Sequence, residues 1–118
     1  MGFNYSIFME KRIKNYDDFY KFYLREHSNY ICRLLHVIGT TVVLALVITA
    51  IIHFNPYWLI FVPLSGYGFA WIGHFFFEKN QPATFKYPLW SLKSDFKMYF
   101  DIVGGKLSLN SSKDFIEN

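Results

Sequence analysis

The stretch LLHVIGTTVVLALVITAIIHFNPYWLIFVPLSGYGFAWIGHFFFE, residues 34–78, decides how this chain folds. It contains no Lys, Arg or Asp, and its one carboxylate is the Glu78 that ends it. A bilayer core takes about 20 apolar residues per helix. The FNP triplet interrupts the run as a turn signal, because a proline disfavours the helical conformation at the residue before it. The run therefore divides into residues 34–54 and 57–77, and it predicts a transmembrane hairpin.

The composition supports a membrane protein of one domain over residues 1–118. The chain is 53% hydrophobic, 22% aromatic and 18% charged, and so small a soluble domain buries only a limited share of its surface. The alternative is a soluble domain in which both segments are buried core helices. We prefer the membrane interpretation, because the apolar residues are concentrated in one charge-free run.

The distribution of basic residues predicts the orientation of the hairpin. All twelve Lys and Arg residues lie outside the run, six before it and six after it. The positive-inside rule then places both termini in the cytoplasm, at the inner membrane of a bacterium or at the endoplasmic reticulum of a eukaryote. A net charge of +3 indicates attraction to anionic lipid headgroups. We expect no nucleic-acid partner, because no basic cluster alternates with aromatic residues.

Two further helices flank the hairpin in this prediction of an all-α membrane protein. Residues 15–32 carry an aromatic stripe of Phe19 and Tyr23 that ends at His27, with polar capping residues before it. Residues 89–103 repeat apolar side chains at helical spacing and predict an amphipathic helix, which lies in the cytoplasmic interface or folds back over the hairpin. The tail, residues 106–118, is expected to be frayed.

Three of the four histidines are predicted to lie at similar depth in the membrane. At about 1.5 Å of rise per residue, His36 lies roughly 4.5 Å inside Arg33 and His74 lies roughly 7.5 Å inside Lys79. His27 reaches the same level if the chain bends between the first two helices. His53 is roughly 25 Å beyond His36, at the opposite interface. We expect His27, His36 and His74 to converge and His53 to stay apart.

The chemistry of these residue types points to a metal. Glu78 follows His74 by four residues, so on an α-helix both side chains project from one face. Imidazole and carboxylate ligands suit Fe, Zn, Cu or Ni, and an open-sided set suits non-haem Fe(II) and oxygen chemistry. Ionisable groups at membrane depth are costly and are usually functional. The simpler alternative is that each histidine only hydrogen-bonds at the water boundary.

Two long segments carry a resemblance to a known family. FYKFYLREHSNYICRLLHVIGT, together with GYGFAWIGHFFFEKNQPATFKYPLWSLKSDFKMYFDIVGGKL, resembles the short bacterial branch of the Mpo-like family over about residues 19–107. GHFFFEKNQPA is the most specific part. The fungal member of that family is a membrane-bound Fe(II)-dependent 2-hydroxy fatty acid dioxygenase, which shortens its substrate by one carbon with O2 in alpha-oxidation.

The resemblance implies roles for individual residues. His27, His36 and His74 would be the iron ligands, and Glu78 would be a further ligand or a group that orients one. Lys79 and Asn80 would meet the substrate carboxylate or stabilise the site. The implied cofactor is Fe(2+), and the implied partners are O2, a 2-hydroxy fatty acid or another lipid, and the membrane.

Three alternatives stay open at the level of sequence. Histidines at matching depth on two helices could be the axial ligands of a b-type haem. The chain could also be a non-catalytic lipid-binding or assembly protein, or a zinc hydrolase. A stripe of small residues, Gly66, Ala70 and Gly73, lets another helix approach closely. That partner helix could belong to the same hairpin or to a second protomer, and the oligomeric state is left open.

Overall fold

The computed structural model describes residues 13–114, and every regular element within them is helical, as predicted. The four α-helices are α1 (Tyr16–Arg25), α2 (Tyr30–Ile52), α3 (Phe61–Ile72) and α4 (Pro88–Val103). Three short 3-10 helices span Pro56–Ile60, Ala83–Phe85 and Ser111–Lys113, and a π-helical turn, Gly73–Glu78, extends α3.

The predicted hairpin is formed by α2 and by the continuous helical segment Pro56–Glu78. Each segment has 23 residues and is long and apolar enough to cross a membrane, with mean hydropathy of 2.5 and 1.4 over its most apolar part. Only 17% and 11% of the residues in those parts are buried within the chain. Core helices of a soluble protein would be mostly buried, so the alternative of a soluble domain with two core helices loses its main support.

Glycines let the two helices of the hairpin approach each other closely. A Cβ atom on Gly39 would lie 3.0 Å from Phe69 Cβ and 3.3 Å from the Ser65 carbonyl oxygen. A Cβ on Gly73 would lie 3.0 Å from Cys32 Sγ. Gly39 of α2 and Gly73 of the π-helical turn therefore lie in the contact between the two segments, and a Cβ on Gly66 of α3 would lie 3.5 Å from Val43 of α2.

We expect Gly39→Ala to destabilise the protein by about 1–3 kcal/mol, because the added methyl group overpacks a tight helix contact. Gly68→Ala is the matched control, since a Cβ there meets nothing within 4 Å, and its stability should stay the same or rise by about 0.5–1 kcal/mol. Unfolding in detergent solution measures both effects. Equal free energies of unfolding for the two variants would show that Gly39 does not lie in a tight helix contact.

The hydrophobic core lies beside the hairpin, at the end where α2 begins and the π-helical turn ends. Its buried residues come from α1, α4 and the segment just before α4: Phe19, Phe22, Tyr23, Leu24, Ala83, Tyr87 and Met98. Helix α1 is shorter than the predicted 15–32. It ends at Arg25, and Asn29 starts α2 by accepting hydrogen bonds from the Ile31 and Cys32 amides at 2.8 and 3.2 Å.

Helix α4 spans 88–103, against the predicted 89–103, and its two faces differ in character. The face that packs inward is mostly small and polar, with Ser91, Ser94 and Met98 buried. The apolar stripe points outward, and Leu89 is 79% exposed. Aromatic residues of α1 fill the core, so the inward face of α4 needs small residues. The outward stripe is exposed, as the apolar face of an interfacial helix would be.

The tail is not frayed in its described part, which corrects the expectation from sequence. Arg33 is fully buried and donates from Nη1 to the Ser108 carbonyl at 2.7 Å and to Asp114 Oδ1 at 3.0 Å. Its Nε donates to the His27 carbonyl at 2.6 Å. The guanidinium thus joins the turn between α1 and α2 to the C-terminal segment. Residues 115–118 of the predicted tail lie outside the described residues.

Candidate metal centre

The structure brings three of the four histidines together, each from a different element. His27 lies in the turn after α1, His36 lies one and a half turns into α2, and His74 lies in the π-helical turn. Their nitrogen atoms lie within 4.8 Å of one another, and all three side chains are buried. We call this group the histidine cluster. The fourth histidine, His53, is exposed and caps the far end of α2, as expected from its depth.

The three rings are oriented like ligands around one point. Their planes are nearly perpendicular in each pair, at 79–88°, and their centroids are 4.3 to 5.1 Å apart. Tyr23 stacks on His27 with a centroid distance of 3.9 Å and limits the rotation of that ring. The cluster is therefore held in place by packing on its outer side.

Hydrogen bonds at Nδ1, the ring nitrogen that faces away from the other histidines, assign the tautomers of His27 and His36. The Nδ1 atoms of His27 and His36 lie 2.6 and 2.8 Å from the carbonyl oxygens of Tyr23 and Cys32, four residues earlier. Carbonyl oxygens only accept, so each Nδ1 carries the proton and donates it. The Nε2 atoms then present lone pairs to each other, 3.1 Å apart between His27 and His36. Lone pairs at that distance repel unless a cation or a proton lies between them.

Asn80 orients the third ring. Its Oδ1 lies 2.7 Å from His74 Nδ1, and its Nδ2 donates to the carbonyl and to Oε1 of Glu26, at 3.0 and 3.2 Å. The two donations fix which way the amide points, so Oδ1 accepts from His74 Nδ1–H. The expectation was that Asn80 meets the substrate carboxylate or stabilises the site. The structure places Asn80 behind His74, where such partners fix the orientation of a ligand and raise its basicity.

We expect Asn80→Ala to weaken the affinity for a divalent metal, tested with Fe(II), by about 10–100-fold, the usual effect of removing a group that orients a histidine ligand. Anaerobic titration of Fe(II) against a competing chelator measures it. Asn55→Ala is the matched control, since Asn55 only caps the 3-10 helix at the far end of the hairpin. An unchanged affinity in Asn80→Ala would show that the amide does not orient the ring.

The histidines are suited to binding a metal ion, because their imidazole rings are neutral at neutral pH. Burial lowers the pKa of His27 well below its usual range, and the neighbouring His36 and His74 lower it further. A metal takes neutral imidazole, so no proton has to leave His27 before a cation binds at neutral pH. The cluster therefore fits a divalent metal held by three Nε2 atoms.

Glu78 does not join the histidine cluster, which corrects the expectation of a shared face with His74. Its carboxylate accepts hydrogen bonds from the Asn29 amide and from Ser28 Oγ, the latter at 3.3 Å, and thereby supports the start of α2. The reason is the π-helical turn, in which the Lys79 amide bonds the His74 carbonyl. Residues four apart no longer superimpose in such a turn. Glu78 positions the turn that carries His27.

Lys79 ends the π-helical turn in the left-handed conformation, with φ of 63°, and is exposed. Its backbone reverses the chain so that Asn80 can return to His74. The structure does not bring Lys79 into the group of three histidines, and its proposed contact with substrate stays a prediction.

Two adjoining cavities open at the histidine cluster. The small cavity, of about 20 Å³, is walled by all three histidines. The apolar groove, of about 290 Å³, runs from His36 along α2 to Val43 and along α3 to Val62, and α4 covers its side. Four residues line both spaces: His36, Tyr67, Ala70 and Asp95. A molecule lying in the groove therefore has one end at the histidines.

Two residues of α4 at these cavities were missed from the sequence. Ser91 lines the small cavity, and Asp95 lines both spaces and accepts a hydrogen bond from the Tyr23 hydroxyl. Burial raises the pKa of Asp95 to about 6. The available signal was their spacing of four residues, together with Ser94 and Met98, on the side of α4 opposite its apolar stripe.

A known protein family matches most of the chain. The family model described as 2-hydroxy-palmitic acid dioxygenase Mpo1-like matches residues 13–107. The chain belongs to the Mpo1-like family. The segment matched includes the histidine cluster, both helices of the hairpin and α4. No curated protein and no solved structure matches the chain.

Proposed function

We propose that this member of the Mpo1-like family is a non-haem Fe(II)-dependent dioxygenase that acts on 2-hydroxy fatty acids in a membrane. The observation that carries the proposal is the convergence of three buried histidines, with one ring nitrogen from each within 4.8 Å of the others, at one end of an apolar groove. The description of the family as a 2-hydroxy-palmitic acid dioxygenase supports the substrate class.

The donor set fits Fe(II). Three imidazoles can occupy one side of a metal and leave other positions open, and imidazole suits Fe as well as Zn and Cu. His27, His36 and His74 would hold the ion, with their outer protons donated to carbonyl and amide oxygens. Bound Fe(II) supplies the electron transfer to O2 that protein side chains do not provide.

The chain's own residues orient the substrate. The groove takes the start of the acyl chain between α2 and α3, and the head group lies at the histidines. The reaction is RCH(OH)COOH + O2 → RCOOH + CO2 + H2O. The C1–C2 bond breaks, the two carbons lose four electrons in total, and O2 accepts them. The apolar walls of the groove keep water away from the reacting carbon.

The hairpin spans the membrane with both termini in the cytoplasm in this proposal. Support comes from the exposed apolar surface of both helices and from the basic residues at their outer ends. The histidine cluster then lies near the cytoplasmic face, where the head group of a fatty acid lies. The outward stripe of α4 contacts the same leaflet.

The orientation can be tested with single cysteines, because the native Cys32 is buried. We expect a membrane-impermeant maleimide to label Tyr57→Cys, at the turn of the hairpin, in intact spheroplasts. Ser112→Cys should be labelled only after the membrane is opened. The reverse pattern would contradict the orientation.

The central experiment is anaerobic purification in mild detergent, followed by metal analysis and a visible spectrum of the same sample. We expect about one iron per chain, no Soret band, and conversion of 2-hydroxypalmitic acid to pentadecanoic acid when O2 is admitted. Tightly bound zinc without O2 consumption would favour the hydrolase, because three histidines also hold catalytic zinc. No metal, even after Fe(II) is offered, would overturn the proposal.

The haem alternative fits the geometry poorly. A macrocycle would have to enter between rings whose Nε2 atoms are 3.1 Å apart in one pair, and the cavity there is about 20 Å³. The absence of a side chain at Gly39 and Gly73 could leave room for a macrocycle, but the space beside each glycine is already filled, by Phe69 at Gly39 and by Cys32 at Gly73. A Soret band in the purified protein would reverse this conclusion.

A further inference from the structure

The small cavity contains a polar group that the fold itself does not use. Ser91 is 3% exposed, and its Oγ is a buried side-chain atom without a hydrogen-bond partner in the described residues. Burying a hydroxyl without a partner is unfavourable, and buried polar groups in proteins are nearly always bonded. Ser91 lines the cavity that the three histidines wall. Such a group needs a partner that arrives with a ligand or with water.

Asp95 lies one helical turn further along the same face of α4. Only its Oδ1 is engaged, by the Tyr23 hydroxyl, and no other residue within 13–114 hydrogen-bonds to Oδ2. Asp95 lines both the small cavity and the apolar groove. An acceptor oxygen therefore stands at the junction where the tail of an amphiphile ends and its head begins.

We propose that Ser91 and Asp95 form the head-group site for the lipid, in which Ser91 Oγ–H donates to the lipid carboxylate and Asp95 accepts from its 2-hydroxyl. The inference rests on the proposed function and adds the residues that select the substrate. The histidines present no donor toward the cavity, because their protons lie on the outer nitrogens. A carboxylate and a hydroxyl need one donor and one acceptor, and α4 supplies both.

This arrangement explains how 2-hydroxy acids would be preferred to ordinary fatty acids. A site built to bond a hydroxyl rejects the analogue without it, because the acceptor of the site is then left unpaired. In this site Asp95 is that acceptor. The apolar groove by itself gives no such preference, because both acids have the same tail.

The first test uses a matched pair of serines on α4. Ser91→Ala should leave the ligand-free protein as stable or more stable, since it removes an unbonded buried hydroxyl. It should weaken binding of 2-hydroxypalmitic acid and of palmitic acid alike, by roughly tenfold. Ser94→Ala is the matched variant, because Ser94 Oγ hydrogen-bonds the Tyr16 hydroxyl at 2.8 Å. We expect this variant to be less stable than the wild type and to bind both lipids as the wild type does.

The second test uses a matched pair of aspartates. In Asp95→Asn the amide oxygen faces the Tyr23 hydroxyl, so the NH2 group faces the cavity and replaces an acceptor with a donor. The preference for 2-hydroxypalmitic over palmitic acid should fall by roughly tenfold or more. Asp101→Asn is the control, since Asp101 also accepts from a tyrosine, Tyr20, at 2.9 Å, but lines neither cavity. It should keep the preference.

Binding of both acids is measured without O2, by competition with a fluorescent fatty acid, alongside iron content and thermal unfolding. Loss of affinity in Ser91→Ala with stability retained, and loss of preference in Asp95→Asn alone, would support the inference. If the wild type prefers the 2-hydroxy acid and both variants keep wild-type binding, the head-group site is overturned and the proposed function stands. If the wild type shows no preference, the proposed substrate class fails as well.

Discussion

Replacing His74 with alanine is expected to lower iron from about one ion per chain to near zero and to abolish turnover of 2-hydroxypalmitic acid. His74 supplies one of the three ring nitrogens that lie within 4.8 Å of one another. Removing only the partner that orients a histidine ligand costs about 10–100-fold in metal affinity, so removing the ligand should cost more than about a hundredfold. Anaerobic metal analysis of the purified variant measures this directly.

His53→Ala is the control for this experiment, because His53 is exposed at the far end of α2 and outside the cluster. It should retain iron and activity. Thermal unfolding of the metal-free proteins separates loss of a ligand from loss of the fold. Full iron occupancy in a folded His74→Ala variant would show that the three histidines do not form the iron site.

Arg33→Met is expected to destabilise the protein by about 3–5 kcal/mol, the usual cost of breaking a buried ion pair by removing one partner. Arg33 is fully buried and pairs with Asp114, whose side chain is 6% exposed. The substitution also leaves the carbonyl groups of His27 and Ser108 without their donor. Unfolding by denaturant in detergent micelles gives the free energy.

Lys97→Met is the matched control, because Lys97 pairs with Asp101 at 3.3 Å on the exposed side of α4. Exposed pairs of this kind contribute about 0.3–0.5 kcal/mol. Since Arg33 also holds the turn that carries His27, its loss should weaken Fe(II) affinity as well, whereas Lys97→Met should not. A change of under about 1 kcal/mol in Arg33→Met would contradict the role of the buried pair.

Much of the hairpin and of the histidine cluster followed from the sequence alone. Helix rise is constant, so sequence distance from the charged boundaries gives depth along the hairpin. That argument brought His36 and His74 to one level and placed His53 apart. The break between α1 and α2, which returns His27 to that level, lies at residues 26–29, inside the single helix predicted over 15–32. The role of these histidines as metal ligands stays a prediction until iron is measured.

The direction in which a side chain points around its helix axis could not be predicted from the sequence in the same way. The π-helical turn separates Glu78 from His74, and neither residue type announces such a turn. The amphipathic pattern of α4 was recognised, but it left open whether the helix lies apart from the hairpin or folds over it. Ser91 and Asp95 were missed because only the packing of the polar face of α4 brings them to the cavities.

The sequence by itself determined the all-helical class, the two apolar segments, the turn between them and the positions of His36, His53 and His74 along the hairpin. These properties depend on local composition and on helix rise, which act over a few residues at a time. Only the tertiary structure decided that Asn80 bonds His74, that Arg33 joins Asp114 across 81 positions, and that α4 brings Ser91 and Asp95 to the cavities. Those contacts depend on the angle of each helix about its axis and on how distant segments pack, and no local pattern specifies either.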